Sequence, residues 1–276
     1  MKIEQLFNVE GCTAIVTGGA SGIGLGYAEA LATNGARVTL LDIDEHRIDA
    51  EVARLRGAGY DVDGRAVDVT DHSRLDRTID EIVTSYRGLD AVFANAGIDP
   101  GPGYVGAWVG DERPRLADGA IENYEDGRWN RVIDINLNGI FATVRAAARY
   151  MRPQRRGHIV ITTSAASQRI EPAIGAAYMA AKAGAAHFMR SVALELAAYQ
   201  ITVNAIAPGM FVTNIGGGHS KDPAVQKAFA SVIPMHRVGF PKDVGGLALF
   251  LASEAGSYVT GQEIVIDGGL CLGRVD

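Results

Sequence analysis

Cysteine is scarce in this chain: Cys12 and Cys271 stand near opposite ends of its 276 residues. With no paired spacing between them, neither a disulfide framework nor a cysteine metal site is indicated, and both read as packing residues. No apolar run is long enough to span a bilayer. Met1 to Glu10 mixes charges with isolated apolar residues where a secretory leader would be continuously apolar. A soluble cytoplasmic protein is expected. Basic residues are not concentrated either. The 26 Lys and Arg against 32 Asp and Glu leave a dispersed net charge of −6, so a nucleic-acid partner lacks its electrostatic footprint. There is no internal repeat, and no metal-ligand cluster stands out.

What is present is apolar residues, 47% of the chain, enough for one sizeable core in a single domain over 1–276. Apolar runs near Thr13–Thr17, Arg37–Leu41, Arg65–Val67, Ala91–Ala94, His158–Thr162, Thr202–Ala207 and Glu263–Ile266 read as strands. They alternate with helical patterns at Gly22–Thr33, Glu45–Arg56, His72–Tyr86, Arg128–Met151, Tyr178–Ala198 and Asp243–Ala252. This rhythm specifies an α/β fold: a doubly wound, Rossmann-type parallel sheet of about seven strands with helices on both faces. Two turn-rich segments, Ile98–Gly127 and Pro208–Val238, follow strand ends and are longer than ordinary connections. Both are placed to cover a ligand in the crevice at the carboxyl ends of the strands.

The helices Arg128–Met151 and Tyr178–Ala198 are apolar beyond one stripe. The first carries Val132, Ile133, Ile135, Leu137, Ile140, Phe141, Val144 and Met151; the second carries Phe188, Met189, Val192, Leu194 and Leu196. One sheet face cannot bury them all, so a homo-oligomer, tetramer or dimer, is expected.

Thr17-Gly18-Gly19-Ala20-Ser21-Gly22-Ile23-Gly24 joins the first strand to the first long helix. Gly18 can take a backbone angle closed to other residues, Gly22 lets a ligand lie against the main chain, and Gly24 lets helix and strand approach. N–H groups at the helix start, with Ser21 and Ile23 beside the glycines, then face a diphosphate. A glycine turn alone can be just a tight connection. Asp42 changes that reading, because it ends the second strand about twenty residues on, where a ribose-binding carboxylate belongs.

Tyr178 and Lys182 lie four apart on one helix face, so phenol and ammonium can act together. A phenol titrating at about 10 is a poor base near neutrality, and a neighbouring cation favours its ionised form. Taken in isolation such a pair is an amphipathic tyrosine and a snorkelling lysine. Here Ala180, Ala181, Ala183, Gly184, Ala185 and Ala186 surround the lysine, leaving room for a ligand. Upstream, Ile159-Val160-Ile161 runs into Thr162-Thr163-Ser164 on the crevice side.

With the glycine turn, Asp42, Ser164 and Tyr178/Lys182 in this order, the chain resembles the short-chain dehydrogenase/reductase family over nearly its whole length. Asp68-Val69, Asn95-Ala96-Gly97, Asn136, Pro208-Gly209 through Thr213, and Asp267-Gly268-Gly269 add to the resemblance. It implies Tyr178 as general acid/base, Ser164 as hydrogen-bond partner of the substrate oxygen, and Lys182 on ribose hydroxyls while lowering the tyrosine pKa. Asn136 would position a water linking Lys182 to solvent, and Asn138-Gly139 after it could loosen the helix. Asn95, Ala96 and Gly97 would support the adenosine ribose, and Asp68 and Val69 the adenine. Pro208, Gly209, the Phe211 backbone and the Thr213 hydroxyl would border the nicotinamide carboxamide.

NAD is the expected cofactor. A carboxylate at Asp42 would repel a 2′-phosphate, and Ser21 and Ile43 are not the cations that would relieve it. Arg47 is the nearest cation and reads as solvated.

The Ser164 to Tyr178 interval is about one residue longer than the family's commonest spacing, which leaves Thr163 and Ser167 as substitutes for Ser164. Gly103, Tyr104, Trp108 and Trp129 could roof a partly apolar substrate or pack on a neighbouring subunit. Ile215, Gly216-Gly217-Gly218 and Pro223, followed by Val225, Phe229 and Ile233, read as a glycine hinge and a short amphipathic helix forming a lid. His219 and His236 in or near it read as solvated. The expected activity is NAD-dependent interconversion of a secondary alcohol and a ketone. A dehydratase or epimerase using the same tyrosine, and an inactive NAD-binding regulator, are the rival readings.

Overall fold

The computed structural model describes residues 2–99, 101–106 and 113–273. Seven parallel strands form one sheet: β1 (Thr13–Thr17), β2 (Arg37–Asp42), β3 (Val62–Ala66), β4 (Ala91–Ala94), β5 (Gly157–Thr162), β6 (Ile201–Pro208) and β7 (Glu263–Ile266). Their spatial order is β3-β2-β1-β4-β5-β6-β7. The chain winds outward from β1 to β3, then crosses back to place β4 beside β1, which opens a crevice at the carboxyl ends of those two strands.

Alternation along the strands divides the core. Ile15, Leu41, Val92, Ile159, Ile161 and Val203 pack against α4 (His72–Tyr86), α6 (Gly139–Gln154) and α7 (Ala176–Ala197). Val16, Val38, Leu40, Phe93, Val160 and Ile206 pack on the other face against α2 (Gly22–Thr33), α3 (Glu45–Gly57) and α9 (Gly245–Leu251). Each such aliphatic side chain, once removed from water, contributes about 1.5–3 kcal/mol. The expected doubly wound sheet is the observed one.

Three element readings need correction. The third strand lies at Val62–Ala66, not Arg65–Val67, because an edge strand with one half-exposed face carries Asp63 and Arg65 and shows no apolar run. The expected long helix Arg128–Met151 is two helices, α5 (Asp126–Ile133) and α6, joined by a π-helical turn over Asp134–Asn138. The helix expected at Asp243–Ala252 begins as a tight 3-10 turn, Pro241–Val244, before α9. Two short helices complete the fold: α1 (Ile3–Leu6) and α8 (Pro223–Ala230). The second is the short amphipathic helix expected after the glycine hinge. Among the described residues no helix is long and apolar enough to cross a membrane, and no His, Cys, Asp or Glu trio is grouped to hold a metal.

Part of the surplus apolar surface on α5 to α7 turns inward. Val132, Ile140, Val144, Met151, Met189 and Leu196 are buried. Phe141 and Leu194 remain 42% and 83% exposed.

Candidate active site

The glycine turn closes on β4 through side-chain bonds. Asn95 Nδ2 donates to the carbonyls of Thr17 (3.0 Å) and Gly18 (3.3 Å), while Thr17 Oγ1 accepts from the N–H groups of Asn95 and Ala96. Gly18 and Gly22 have φ of +62° and +55°, the left-handed region that favours glycine. A Cβ on Gly24 would fall 2.1 Å from the Gly18 carbonyl oxygen, so α2 could not approach β1 with any other residue there. Ser21 precedes α2 without a capping bond from its side chain, and the first N–H groups of the helix point out of the turn. This cradle fits a diphosphate.

Asp42 closes the outer wall of that cradle. Its Oδ2 accepts from Ala20 N at 3.1 Å, and its Oδ1 from the N–H groups of Ile43 (2.8 Å) and Asp44 (3.3 Å). The carboxylate is thereby locked at the carboxyl end of β2, where a ribose would lie. Arg47 is paired with Asp44 (Nε to Oδ2, 2.9 Å). Asp68 Oδ1 accepts from Thr70 N and Oγ1, and the buried Val69 packs where Gly139 has no Cβ.

The floor is built around Asn136, which is fully buried in the π-helical turn. Its Nδ2 donates to Ile98 O (2.9 Å) and Val132 O (3.0 Å), and its Oδ1 accepts from Ile98 N (3.2 Å). The side chain thus bonds the strand-end loop after β4 as a backbone partner would. A Cβ on Gly97 would lie 2.7 Å from Asn136 Oδ1 and 3.4 Å from Lys182 Nζ, so the three groups converge. Lys182, 2% exposed, donates from Nζ to Thr162 O at 2.8 Å.

Tyr178 is 9% exposed, with Lys182 Nζ 5.7 Å from its ring centre and a hydrogen bond to Ser164. Of the three hydroxyl candidates only Ser164 faces it. Thr163 Oγ1 donates to Ile206 O at 3.2 Å, and Ser167 Oγ turns away to Ser164 O and to Glu263. Burial pushes the Tyr178 phenol up to about 12; the Ser164 bond opposes this and the Asp99 charge reinforces it. Burial is the largest influence on this phenol. The same burial brings the Lys182 ammonium down to about 8.

Residues 18–271 match the family model described as Enoyl-(Acyl carrier protein) reductase. Galactitol 2-dehydrogenase of Rhizobium johnstonii is 36% identical over 271 residues, covering 98% of each chain. The chain belongs to the short-chain dehydrogenase/reductase family. Among solved structures, gox2181 matches with a TM-score of 0.88 at 34% identity over 99% of this chain and 100% of its own. A gluconate 5-dehydrogenase from Burkholderia cenocepacia J2315, in complex with NADP and tartrate, matches with 0.86 at 29% identity over 99% and 100%. As a member of this family of dehydrogenases and reductases the chain is an oxidoreductase, on a fold that binds a nicotinamide dinucleotide.

The family's segment after β6 reaches the cradle. Gly209 N bonds Ile266 O, and a Cβ on Gly209 would strike Asp267 at 2.5 Å. Phe211 turns its ring into the core under Gly239, while its backbone runs on to Thr213. The Thr213 Cβ lies 3.3 Å from where Gly22 would carry one, so this side chain borders the diphosphate turn. Beyond it a 3-10 turn, Ile215–Lys221, leads to α8, capped by Asp222 on Ala224 N. His219 and His236 are exposed, as expected.

Of the expected roof residues, Gly103 is bonded to Ala173 O, Arg115 stacks over Tyr104, and Trp129 packs edge-on to Tyr124. Trp108 lies outside the described residues.

Two acids near the site were missed in the sequence. Asp99 follows the Ile98 clamp, and its charge acts on Tyr178. Glu263 has a side chain only 2% exposed and accepts from Ser167 Oγ (2.5 Å), Gln168 Nε2 (3.2 Å) and Arg190 Nη2 (3.2 Å). A carboxylate at the head of the apolar strand Glu263-Ile264-Val265-Ile266 was the available signal, since a buried charge needs partners.

Proposed function

We propose that the protein is an NAD-dependent dehydrogenase that interconverts a secondary alcohol and a ketone within a single dinucleotide-binding and catalytic domain. One observation carries the reading: Tyr178 with its Ser164 partner and Lys182 on the Thr162 carbonyl stand together at the carboxyl ends of the strands, beside Gly97 and Asn136. When bound, the dinucleotide supplies the hydride acceptor or donor and, in its oxidised form, a positive ring.

In the oxidising direction the Tyr178 oxygen takes the alcohol's proton, within hydrogen-bond reach of the bound hydroxyl. Ser164 holds the reacting oxygen and donates to it as charge develops. Lys182, anchored by Thr162, would hold a ribose and places its charge beside the phenol, favouring phenolate against the burial that raises Tyr178. Asn136 fixes the loop over both. In the reducing direction Tyr178 returns the proton.

NAD is favoured over NADP by the locked Asp42 carboxylate and by Arg47, which is already paired with Asp44. Gly18, Ser21, Gly22, Ile23 and Gly24 would hold the diphosphate, Asp68 and Val69 the adenine, and Asn95 to Gly97 the ribose, with Pro208, Gly209, Phe211 and Thr213 around the nicotinamide. The exposed Phe141 and Leu194 support a homo-oligomer built on α6 and α7, a dimer or tetramer.

A panel of secondary alcohols and ketones, followed by nicotinamide absorbance with NAD and with NADP, tests the reading. Turnover is expected with NAD at the higher kcat/KM. Equal efficiency with NADP overturns the cofactor assignment, and dinucleotide binding without turnover of any member supports an inactive regulator instead.

A further inference from the structure

The crevice wall carries an acid that the proposed proton transfer does not use. Asp99 follows Ile98, whose N–H and carbonyl are both held by Asn136. Four residues further on, Gly103 N bonds Ala173 O, and Pro102 pairs with Ile174, just before α7. The segment is therefore fastened at Ile98 and at Gly103, and Gly101 O lies 3.6 Å from where a Cβ on Gly175, at the start of the helix that carries Tyr178, would stand. Asp99 lies between these two fastenings, near enough to the phenol for its charge to act on it.

Arg128, the cation beside it, is committed through both terminal nitrogens. Arg128 donates from Nη1 to Asp118 O (3.0 Å) and from Nη2 to Pro102 O (2.5 Å), and stacks 4.4 Å over Tyr124. Its guanidinium is a brace for the segment. The Asp99 carboxylate accepts from Gly101 N–H. An ionised carboxylate offers about four acceptor positions, so most of its capacity is left for a donor that arrives in the crevice.

We propose that Asp99 accepts a hydrogen bond from a hydroxyl on the carbon adjacent to the one that Tyr178 serves, so that the substrate is a vicinal diol or polyol, or the matching α-hydroxyketone. This rests on the secondary-alcohol reading of the same site and deepens it. A hydrocarbon neighbour would strip water from the carboxylate and return no bond. A carboxylate neighbour on the substrate would meet like charge. A hydroxyl donor satisfies it, and a site built around such a bond strongly rejects the analogue that lacks the hydroxyl. Burial, opposed by the Gly101 bond and by Arg128, pushes Asp99 up to about 6, which leaves it an acceptor at neutral pH.

The test is a pair of minimal comparisons at saturating dinucleotide: butane-2,3-diol against butan-2-ol, and 3-hydroxybutan-2-one against butan-2-one, with hexane-2,3-diol against hexan-2-ol as the longer pair. The parent protein should favour the hydroxylated member by at least about tenfold in kcat/KM, the discrimination a buried polar contact provides. Asp99→Leu should bring that ratio close to one, and Asp99→Asn, which still accepts through its amide oxygen, should keep part of it. If Asp99→Leu does not fold, as judged by its melting curve, the Asp99→Asn ratio decides: a value equal to the parent's overturns the proposal. Turnover that is equal for both members, or confined to the simple alcohols and ketones, overturns this inference and leaves the proposed function standing. Turnover of none of these compounds, nor of any other secondary alcohol, overturns the proposed function itself.

Discussion

Lys182 Nζ donates to the carbonyl oxygen of Thr162 at 2.8 Å, so an ammonium carried by α7 closes the end of β5. That single bond explains how a cation comes to be buried at the crevice, and it has a cost that can be measured. Burial brings Lys182 from its usual 10.5 to about 8, so the folded protein holds this proton less tightly than the unfolded chain. The destabilisation is complete below pH 8 and fades as pH rises from 8 to 10.5.

Lys182→Met should therefore gain stability over the parent at pH 7, about 3 kcal/mol from relief of burial less about 1 for the orphaned carbonyl. The gain should shrink towards pH 10.5, and activity should be lost throughout. Urea unfolding at pH 7 and pH 10 checks this; a difference that is independent of pH removes the argument.

Tyr178→Phe deletes the proposed acid/base while keeping the ring in its cluster with Val132, Ala166, Ala177 and Ala181. The expected outcome is a fall in kcat of about 10²–10⁴, the usual worth of a positioned proton-transfer group, with dinucleotide affinity little changed. Rates equal to the parent's would assign the proton to another group.

Glu263 holds the turn that carries Ser164, because Ser167 Oγ touches both Ser164 O (2.6 Å) and Glu263 Oε1 (2.5 Å). Glu263→Ala leaves Ser167, Gln168 and Arg190 without this acceptor and should cost about 1–3 kcal/mol, with kcat lowered more than KM is raised. Glu263→Gln should recover part of kcat. If the alanine variant melts early but turns over at the parent's rate, the clamp is purely structural.

Leu194 on α7 is 83% exposed, and elsewhere on the same helix Phe188 meets the half-exposed Phe141 of α6 edge-on at 6.1 Å. Light scattering should give the mass of a dimer or tetramer for the parent and a smaller one for Leu194→Glu. A monomer at micromolar concentration would show that this apolar face needs no second copy.

The parts of this molecule that depend on neighbours in sequence were readable from it. Gly18, Gly22 and Gly24 announce a turn whose geometry is local, Asp42 follows from where β2 ends, and Tyr178 and Lys182 share a face because a helix repeats every 3.6 residues. What could not be read depends on contacts across the chain. Asn136 is bonded to Ile98, 38 positions away, from within the π-helical turn. Glu263 finds Ser167 across 96 positions. β3 was displaced in the reading because an edge strand mixes charge with apolar residues. The burial that opposes the Tyr178 phenolate is likewise a property of the packed whole and has no local sequence signal.

Gly97 has no room for even a methyl group, since Asn136 Oδ1 stands 2.7 Å from where it would go, with Lys182 Nζ in contact beyond. The same atoms that would greet a ligand also tie strand ends to helices, so alteration of this floor is paid in folding. Residues 101–106 and 215–230 are tied instead by bonds that involve neither Asn136 nor Lys182. Under the proposed function, retooling the protein for a different molecule is therefore a matter of recutting those segments, with the reactive group left as it stands.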